Sequence, residues 1–238
     1  MSQEVQVSVD GDVTTLLLNR PEAGNRLTNA MAGAVEAGIR QAKGSRLILL
    51  RGAGADFCAG RDMQPPAPGS GVKPADVLRD DAAPMLSLFE AWRNCRAPIV
   101  GVVQGKAWGI GTVFAGLCDV TLAADSSTFR LGELERGIPP CIAMAPLLDR
   151  MPKKALAYLV LSAEEMAADA AQAHGIVSRV LPAAQLEAAA QALVKRLLGF
   201  SQASVEAVKL YLDTAPHFND ANAVTYGSSL LANVLASR

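Results

Sequence analysis

Chemistry can be sought first where glycines meet backbone that a ligand could reach. Asp56-Phe57-Cys58-Ala59-Gly60-Arg61-Asp62 follows an apolar run at 47–50, and Gly105-Lys106-Ala107-Trp108-Gly109-Ile110-Gly111 follows another at 99–103. Glycine lets the backbone approach a ligand closely and adopt positive φ. Free N–H groups at a helix start attract negative charge. Two such segments converging on one oxygen would form an oxyanion hole, although tight turns use the same residues. In a third segment, residues 129–140, Glu133 and Glu135 stand beside a proline break. A positioned carboxylate there would serve as acid or base, and the plain alternative is a solvated loop or a pair with Arg130 or Arg136. Gly52-x-Gly54 and Gly109-x-Gly111 match the dinucleotide-binding fingerprint only weakly, because neither has its third glycine in place.

The elements that must position these residues follow from the pattern. Val5, Val7 and Val9 alternate with polar residues, Asp10-Gly11 supplies a turn, and residues 13–18 continue as a second strand. Thr28 is a plausible N-cap for a helix to about Lys43. Residues 62–81, with Pro65, Pro66, Pro68, Gly69, Gly71 and Pro74, read as a surface loop or a lid. A helix is predicted over 83–95, a strand over 99–103, a helix over 109–117 and a strand over 119–123. Beyond 140 the chain reads as helical, apart from a strand at 176–180. Ser162-Ala163-Glu164-Glu165 has the pattern of a capping box. Helices are expected at 183–198, 202–213 and 219–236. Strands with interposed helices and then a helical tail make an α/β or α+β pattern, divided here into a core over 1–182 and a helical subdomain over 183–238.

The chain has 238 residues, of which 50% are hydrophobic and 19% charged, enough to bury a sizeable core and too apolar for a disordered chain. A net charge of −1, from 22 basic and 23 acidic residues, argues against a phosphate-gripping nucleic-acid binder. No signal peptide is expected from the start Met-Ser-Gln-Glu-Val, and no membrane span, because the longest uncharged apolar stretch, residues 107–118, is too short and glycine-rich. Cys58, Cys95, Cys118 and Cys141 form no CxxC pair. Reduced thiols in a cytoplasmic protein, with no metal site, are the expectation.

The motifs add up in order. Asn19-Arg20-Pro21-Glu22 with Asn25-x-Leu27, Phe57-Cys58-Ala59-Gly60-Arg61-Asp62, Gly105-x-Ala107-x-Gly109-x-Gly111 closed by Cys118-Asp119, Phe129-x-x-x-Glu133-x-x-x-Gly137-x-x-Pro140, and Ala173-x-Gly175-Ile176-Val177-x-Arg179-Val180 together resemble the enoyl-CoA hydratase/isomerase (crotonase) family along nearly the whole chain. The resemblance implies an α/β spiral of β-β-α turns with a helical tail, assembled as homotrimers or pairs of trimers. It implies an acyl-CoA thioester substrate and no cofactor beyond the CoA moiety. By motif matching it assigns the oxyanion-hole N–H groups to Ala59 and Ile110, with Ile110 in place of the family's middle glycine. Gly60, Arg61 and Asp62 join them on the acyl-CoA side. Glu133 matches one of the two glutamates of a hydratase of this family, and the other falls on Val113, which cannot activate water. A single acid/base, Glu133, fits double-bond isomerisation of an enoyl-CoA. Hydration, decarboxylation or hydrolysis on the same scaffold, and non-catalytic acyl-CoA binding, are the alternatives.

The remaining residues are weighed as follows. A Cys141 thiolate could attack a thioester, but the apolar Ile142-Ala143-Met144 beside it predicts a buried, inert thiol. His217 is read as structural and His174 as a helix-end residue. Glu135 is read as surface or as a partner of Arg136. Arg61 could meet a CoA phosphate or a carboxylate, with a solvated surface residue as the equal alternative. Lys153, Lys154 and Lys209 are candidates for nucleotide phosphates. Trp92 and Trp108 are expected to be core or interface anchors.

Overall fold

The computed structural model describes residues 4–67 and 69–237; Met1, Ser2 and Gln3 of the N-terminal reading and Pro68 of the loop lie outside them. The chain opens with the predicted hairpin, β1 (Val5–Asp10) and β2 (Val13–Leu18), turning at Gly11. Helix α1 (Asn29–Gln41) begins where expected: the Thr28 hydroxyl accepts the Met31 N–H at 3.0 Å. Strand β3 (Leu47–Gly52) follows. The first departure comes next. A helical stretch runs unbroken from α2 (Pro74–Val77) through a π-turn (Leu78–Ala82) into α3 (Ala83–Arg93), so it begins inside the segment read as irregular. Pro74 opens that helix, because a proline at the first position gives up an N–H that has no intrahelical acceptor anyway.

Strands β4 (Ile99–Val103) and β5 (Lys106–Trp108) lead to α4 (Ile110–Leu117), and β6 (Val120–Ala124) and β7 (Thr128–Arg130) lead to α5 (Cys141–Met144) and α6 (Lys153–Ser162). The remainder is β8 (Met166–Ala167), α7 (Ala168–Ala173), β9 (Arg179–Leu181), α8 (Leu186–Leu198), α9 (Gln202–Thr214) and α10 (Asp220–Ala236). Two expectations are corrected here. Ser162 closes α6 and opens nothing: its hydroxyl donates to the Tyr158 carbonyl at 2.7 Å, and Ala163 turns left-handed at φ 54°. The strand expected at 176–180 shrinks to β9, because the N–H groups of both Ile176 and Val177 bond to the Ala171 carbonyl.

The main sheet has the order β1-β2-β3-β4-β6-β9, parallel except for the β1–β2 hairpin. Its middle strands are continuous apolar runs because both faces are covered. One face packs on the large core around Phe57, Phe114 and Phe129, and the other on α8, where Leu186 and Ala190 meet Val102 and Leu122. A second sheet, β5-β7-β8, went unread in the sequence. Each turn of the chain gives one strand to each sheet and then helix: β4, β5 and α4, then β6, β7 and α5–α6. Cys58, bridged to Ala107, continues the pattern one turn earlier, after β3. The result is a spiral in which loops leaving the C-terminal ends of β3 and β4 lie side by side. Among the described residues no helix is long and apolar enough to cross a membrane.

Candidate active site

The two glycine-bearing loops meet through their backbones. The Cys58 N–H donates to the Lys106 carbonyl at 3.0 Å, and the Trp108 N–H donates to the Cys58 carbonyl at 2.9 Å. Asp56 ties the loops a second time by accepting the Lys106 N–H at 2.9 Å. Gly111 has to be glycine, since a Cβ there would sit 2.1 Å from the Cys58 carbonyl oxygen. Asn25, which the motif reading left without a role, is buried and pins this ensemble. Its amide donates to the carbonyls of Ala53 and Asp56 at 2.8 and 2.7 Å, and its oxygen accepts the Arg20 N–H.

Ile110 is the first residue of α4, behind Gly109 at φ 51°. Its N–H therefore has no acceptor within the helix and lies at the positive end of the helix dipole. Its side chain is 5% exposed and belongs to the core, so isoleucine replaces glycine without leaving the backbone donor.

Ala59 is a correction. Its N–H already donates to the Gly24 carbonyl at 2.8 Å and cannot serve an incoming oxygen. The neighbouring geometry points to Arg61. The Leu27 N–H donates to the Gly60 carbonyl and the Asp62 N–H to the Leu27 carbonyl, at 2.8 and 3.0 Å, so Leu27 brackets Arg61. In such a parallel bridge the N–H of the bracketed residue faces the opposite way, and the Arg61 N–H makes no backbone hydrogen bond among the described residues. Gly60, at φ 114°, permits this turn of the chain and also the close packing of Gly109, whose missing Cβ would lie 3.4 Å from the Gly60 Cα. Matching by motif gave no access to the direction in which each N–H points.

Glu133 opens a short 3₁₀ turn (Glu133–Arg136) after β7, and its carboxylate reaches back to this junction. A Cβ on Gly109 would stand 2.9 Å from Glu133 Oε1, while Oε2 is buried with no hydrogen-bond partner among the described residues. Burial pushes the Glu133 carboxyl above its ordinary pKa, and its own backbone N–H and the charges of Arg136 and Arg130 only partly oppose that. Gly132, where the family pattern has proline, leaves space for the Arg130 guanidinium, which would lie 3.0 Å from a Cβ at that position. Arg130 in turn holds Glu135 and the Ala163 carbonyl, so Glu135 pairs with Arg130 and not with Arg136. Val113 is fully buried in α4, within the hydrophobic core.

Asp62 braces the loop: it pairs with Arg20 at 2.6 Å and Arg26 at 3.4 Å, and the Arg20 hydrogen bond holds its carboxyl below the usual range. Lys209 is 7% exposed and bound to Asp119 at 2.8 Å, so it is not offered to a phosphate. Cys141 is exposed, contrary to the buried thiol expected, because the four-residue α5 leaves its first residue at the surface. Cys58 is the sealed thiol, with its pKa pushed up to about 12 by burial. Trp92 is a core anchor stacked on Phe114, while Trp108 is half-buried under the Lys106 ammonium. His217 is exposed in a turn before α10.

Comparison with known proteins identifies the family and the fold. The family model for enoyl-CoA hydratase/isomerase matches residues 9–237. A probable enoyl-CoA hydratase of Rhodobacter capsulatus is 30% identical over 86% of this chain and 79% of its own. The (E)-benzylidenesuccinyl-CoA hydratase of Thauera aromatica is also 30% identical, over 86% of this chain and 80% of its own. The crystal structure of an enoyl-CoA hydratase from Mycobacterium smegmatis superposes with a TM-score of 0.89 at 23% identity, covering 98% of this chain and 91% of that one. An enoyl-CoA hydratase from Bacillus anthracis gives 0.87 at 22% identity, covering 98% and 92%. The fold is therefore the crotonase fold, and the chain belongs to the enoyl-CoA hydratase/isomerase family of acyl-CoA-processing enzymes.

Proposed function

We propose that this enzyme moves the double bond of a 3-enoyl-CoA into conjugation, with Glu133 as its single acid/base. The observation that carries the reading is the Glu133 carboxylate beside the Gly60–Gly109 contact, its Oε2 buried without a partner among the described residues, with Val113 sealed where the resemblance puts a second glutamate. The thioester carbonyl oxygen would accept the N–H groups of Arg61 and Ile110. Glu133 as carboxylate takes a proton from Cα, and the electron pair of that C–H bond moves toward the carbonyl to give a dienolate whose oxyanion the two N–H groups hold. As the carbonyl re-forms, a double bond forms between Cα and Cβ, and the old π-pair takes the proton back from Glu133 at Cγ. The raised pKa suits a group that must both accept and return a proton. The step needs no group beyond the CoA of the substrate.

Hydration is the second reading, favoured by the relatives named hydratase and dehydratase, among them the carnitinyl-CoA dehydratase of Proteus mirabilis at 28% identity. One assay separates the two. Purified protein is given a 3-enoyl-CoA and, separately, a 2-enoyl-CoA, and products are followed by mass and absorbance. Isomerisation without added water, reduced about 10²–10⁴-fold in Glu133→Gln, is the expected result. Comparable hydration of the 2-enoyl-CoA would replace it with the second reading.

A further inference from the structure

Arg61 is the exception among the half-buried arginines of the described residues. Arg20, Arg46, Arg51, Arg130 and Arg150 each lie against a carboxylate. Arg61 has no such ion pair among the described residues. Its Nη1 donates to the Asp81 carbonyl at 3.1 Å and its Nη2 donates to the Asn29 side-chain oxygen, both uncharged acceptors, and its Nε is buried without a partner. Burial pushes the guanidinium below its ordinary pKa, with the charge of Asp81 opposing. A cation partly withdrawn from water without an ion-paired carboxylate is costly.

The location of this cation matters. Its own backbone N–H is the one that turns away from Leu27 at the candidate site. Two of the buried side-chain atoms without partners, Arg61 Nε and Glu133 Oε2, belong to the same pair of adjoining segments. Those segments touch through Gly60 and Gly109, and Arg136 donates to the Met63 carbonyl across them at 3.3 Å. An anion reaching Arg61 would come from the acyl end of a thioester held there, because the phosphates of CoA stand off by the whole pantetheine arm. A guanidinium fork matches a carboxylate in shape as well as charge.

We infer that the acyl group taken by this site carries a carboxylate of its own, received by the Arg61 guanidinium, so that the substrates are CoA thioesters of dicarboxylic acids. The inference rests on the thioester reading above and narrows its substrate class. Calorimetric titration with glutaryl-CoA, butyryl-CoA and free CoA tests it without turnover, since the first two share every phosphate and differ in the terminal carboxylate. Wild-type protein is expected to bind glutaryl-CoA at least about 10-fold more tightly than butyryl-CoA. That ratio should fall to near one in Arg61→Met and be partly kept in Arg61→Lys. Equal binding of the two thioesters by wild-type protein overturns the inference by itself, even if Arg61→Met fails to fold. A preference that survives in Arg61→Met also overturns it. So does an equal weakening of all three compounds, which would make Arg61 a clamp on residues 78–82 or a phosphate ligand. Failure of every CoA compound to bind would instead strike the thioester reading itself, and the inference with it.

Discussion

The two edges of the parallel sheet treat buried charge in opposite ways. At the N-terminal edge of β4, Lys209 from α9 is nearly buried, and its ammonium donates to Asp119 at 2.8 Å and to the Ala97 carbonyl at 3.1 Å. The same Asp119 oxygen accepts the Ile99 N–H at 2.7 Å. At the C-terminal edge, Glu133 and Arg61 each keep a buried polar atom with no partner among the described residues. An unpartnered buried polar atom costs about 1–3 kcal/mol; Arg46 Nε, just ahead of β3, is another, but its guanidinium is paired with Asp12, whereas neither Glu133 nor Arg61 has an ion pair among the described residues. The closed network fastens the helical tail to the sheet, and the open one lies where the proposed thioester would sit.

The largest effect should come from closing the open edge. Glu133→Gln is expected to lower kcat about 10²–10⁴-fold while the protein keeps its fold. It should also stabilise the protein. Burial raises the folded-state pKa of Glu133, so as pH climbs from the unfolded to the folded pKa the unfolded chain has released more protons and stability falls. The variant escapes that loss. Thermal melts should therefore show a higher Tm than wild type at pH 7 and no difference once the pH is below the unfolded-state pKa. A lower Tm at pH 7 would mean that the carboxylate is doing structural work and that the contrast between the edges is false.

Breaking the closed edge should do the reverse. Lys209→Met strands Asp119 and is expected to cost about 3–5 kcal/mol in urea titration, as for other broken buried pairs. Activity per folded molecule should hardly change. Gly109→Ala comes next, because the added methyl would stand 2.9 Å from Glu133 Oε1 at a φ of 51° that alanine resists. A loss of about 1–2 kcal/mol of stability, with at least a tenfold drop in kcat, would place Glu133 against this backbone. An unaffected kcat would remove it.

What the sequence displayed of this contrast depended on how local each signal was. Thr28 announced α1 because a cap and an apolar period sit in adjacent residues. The runs at 47–50 and 99–103 lie in central strands, where burial on both faces removes alternation. Strands β5, β7 and β8, of two or three residues, are too short to show a period at all. Pro74 was read as a breaker because the same residue opens helices and interrupts them, and only its neighbours in space decide. Lys209 looked like a surface cation because its partner lies 90 residues away. The motif singled out Glu133, and its carboxylate lies beside Gly109. Ala59 was not distinguishable from Arg61, because which N–H points into the site depends on a backbone reversal at Gly60 that no composition encodes.

The smallest effect is the most discriminating for the open edge. Arg136 is exposed, donates to the Met63 carbonyl, and its charge holds the Glu133 carboxyl down against the upward push of burial. In a reaction that starts from the carboxylate, activity rises with pH through the Glu133 pKa. Arg136→Gln removes one of the opposing charges, so the acidic limb of the kcat profile should move to higher pH, by less than about one unit for a solvent-screened charge. The plateau at higher pH should stay close to the wild-type level. Added salt should push the wild-type limb in the same direction and move the limb of Arg136→Gln less, because screening can only weaken a charge that is present. A limb that ignores both the substitution and the salt would show that the titrating group is not Glu133, and that carboxylate would lose its claim to the chemistry.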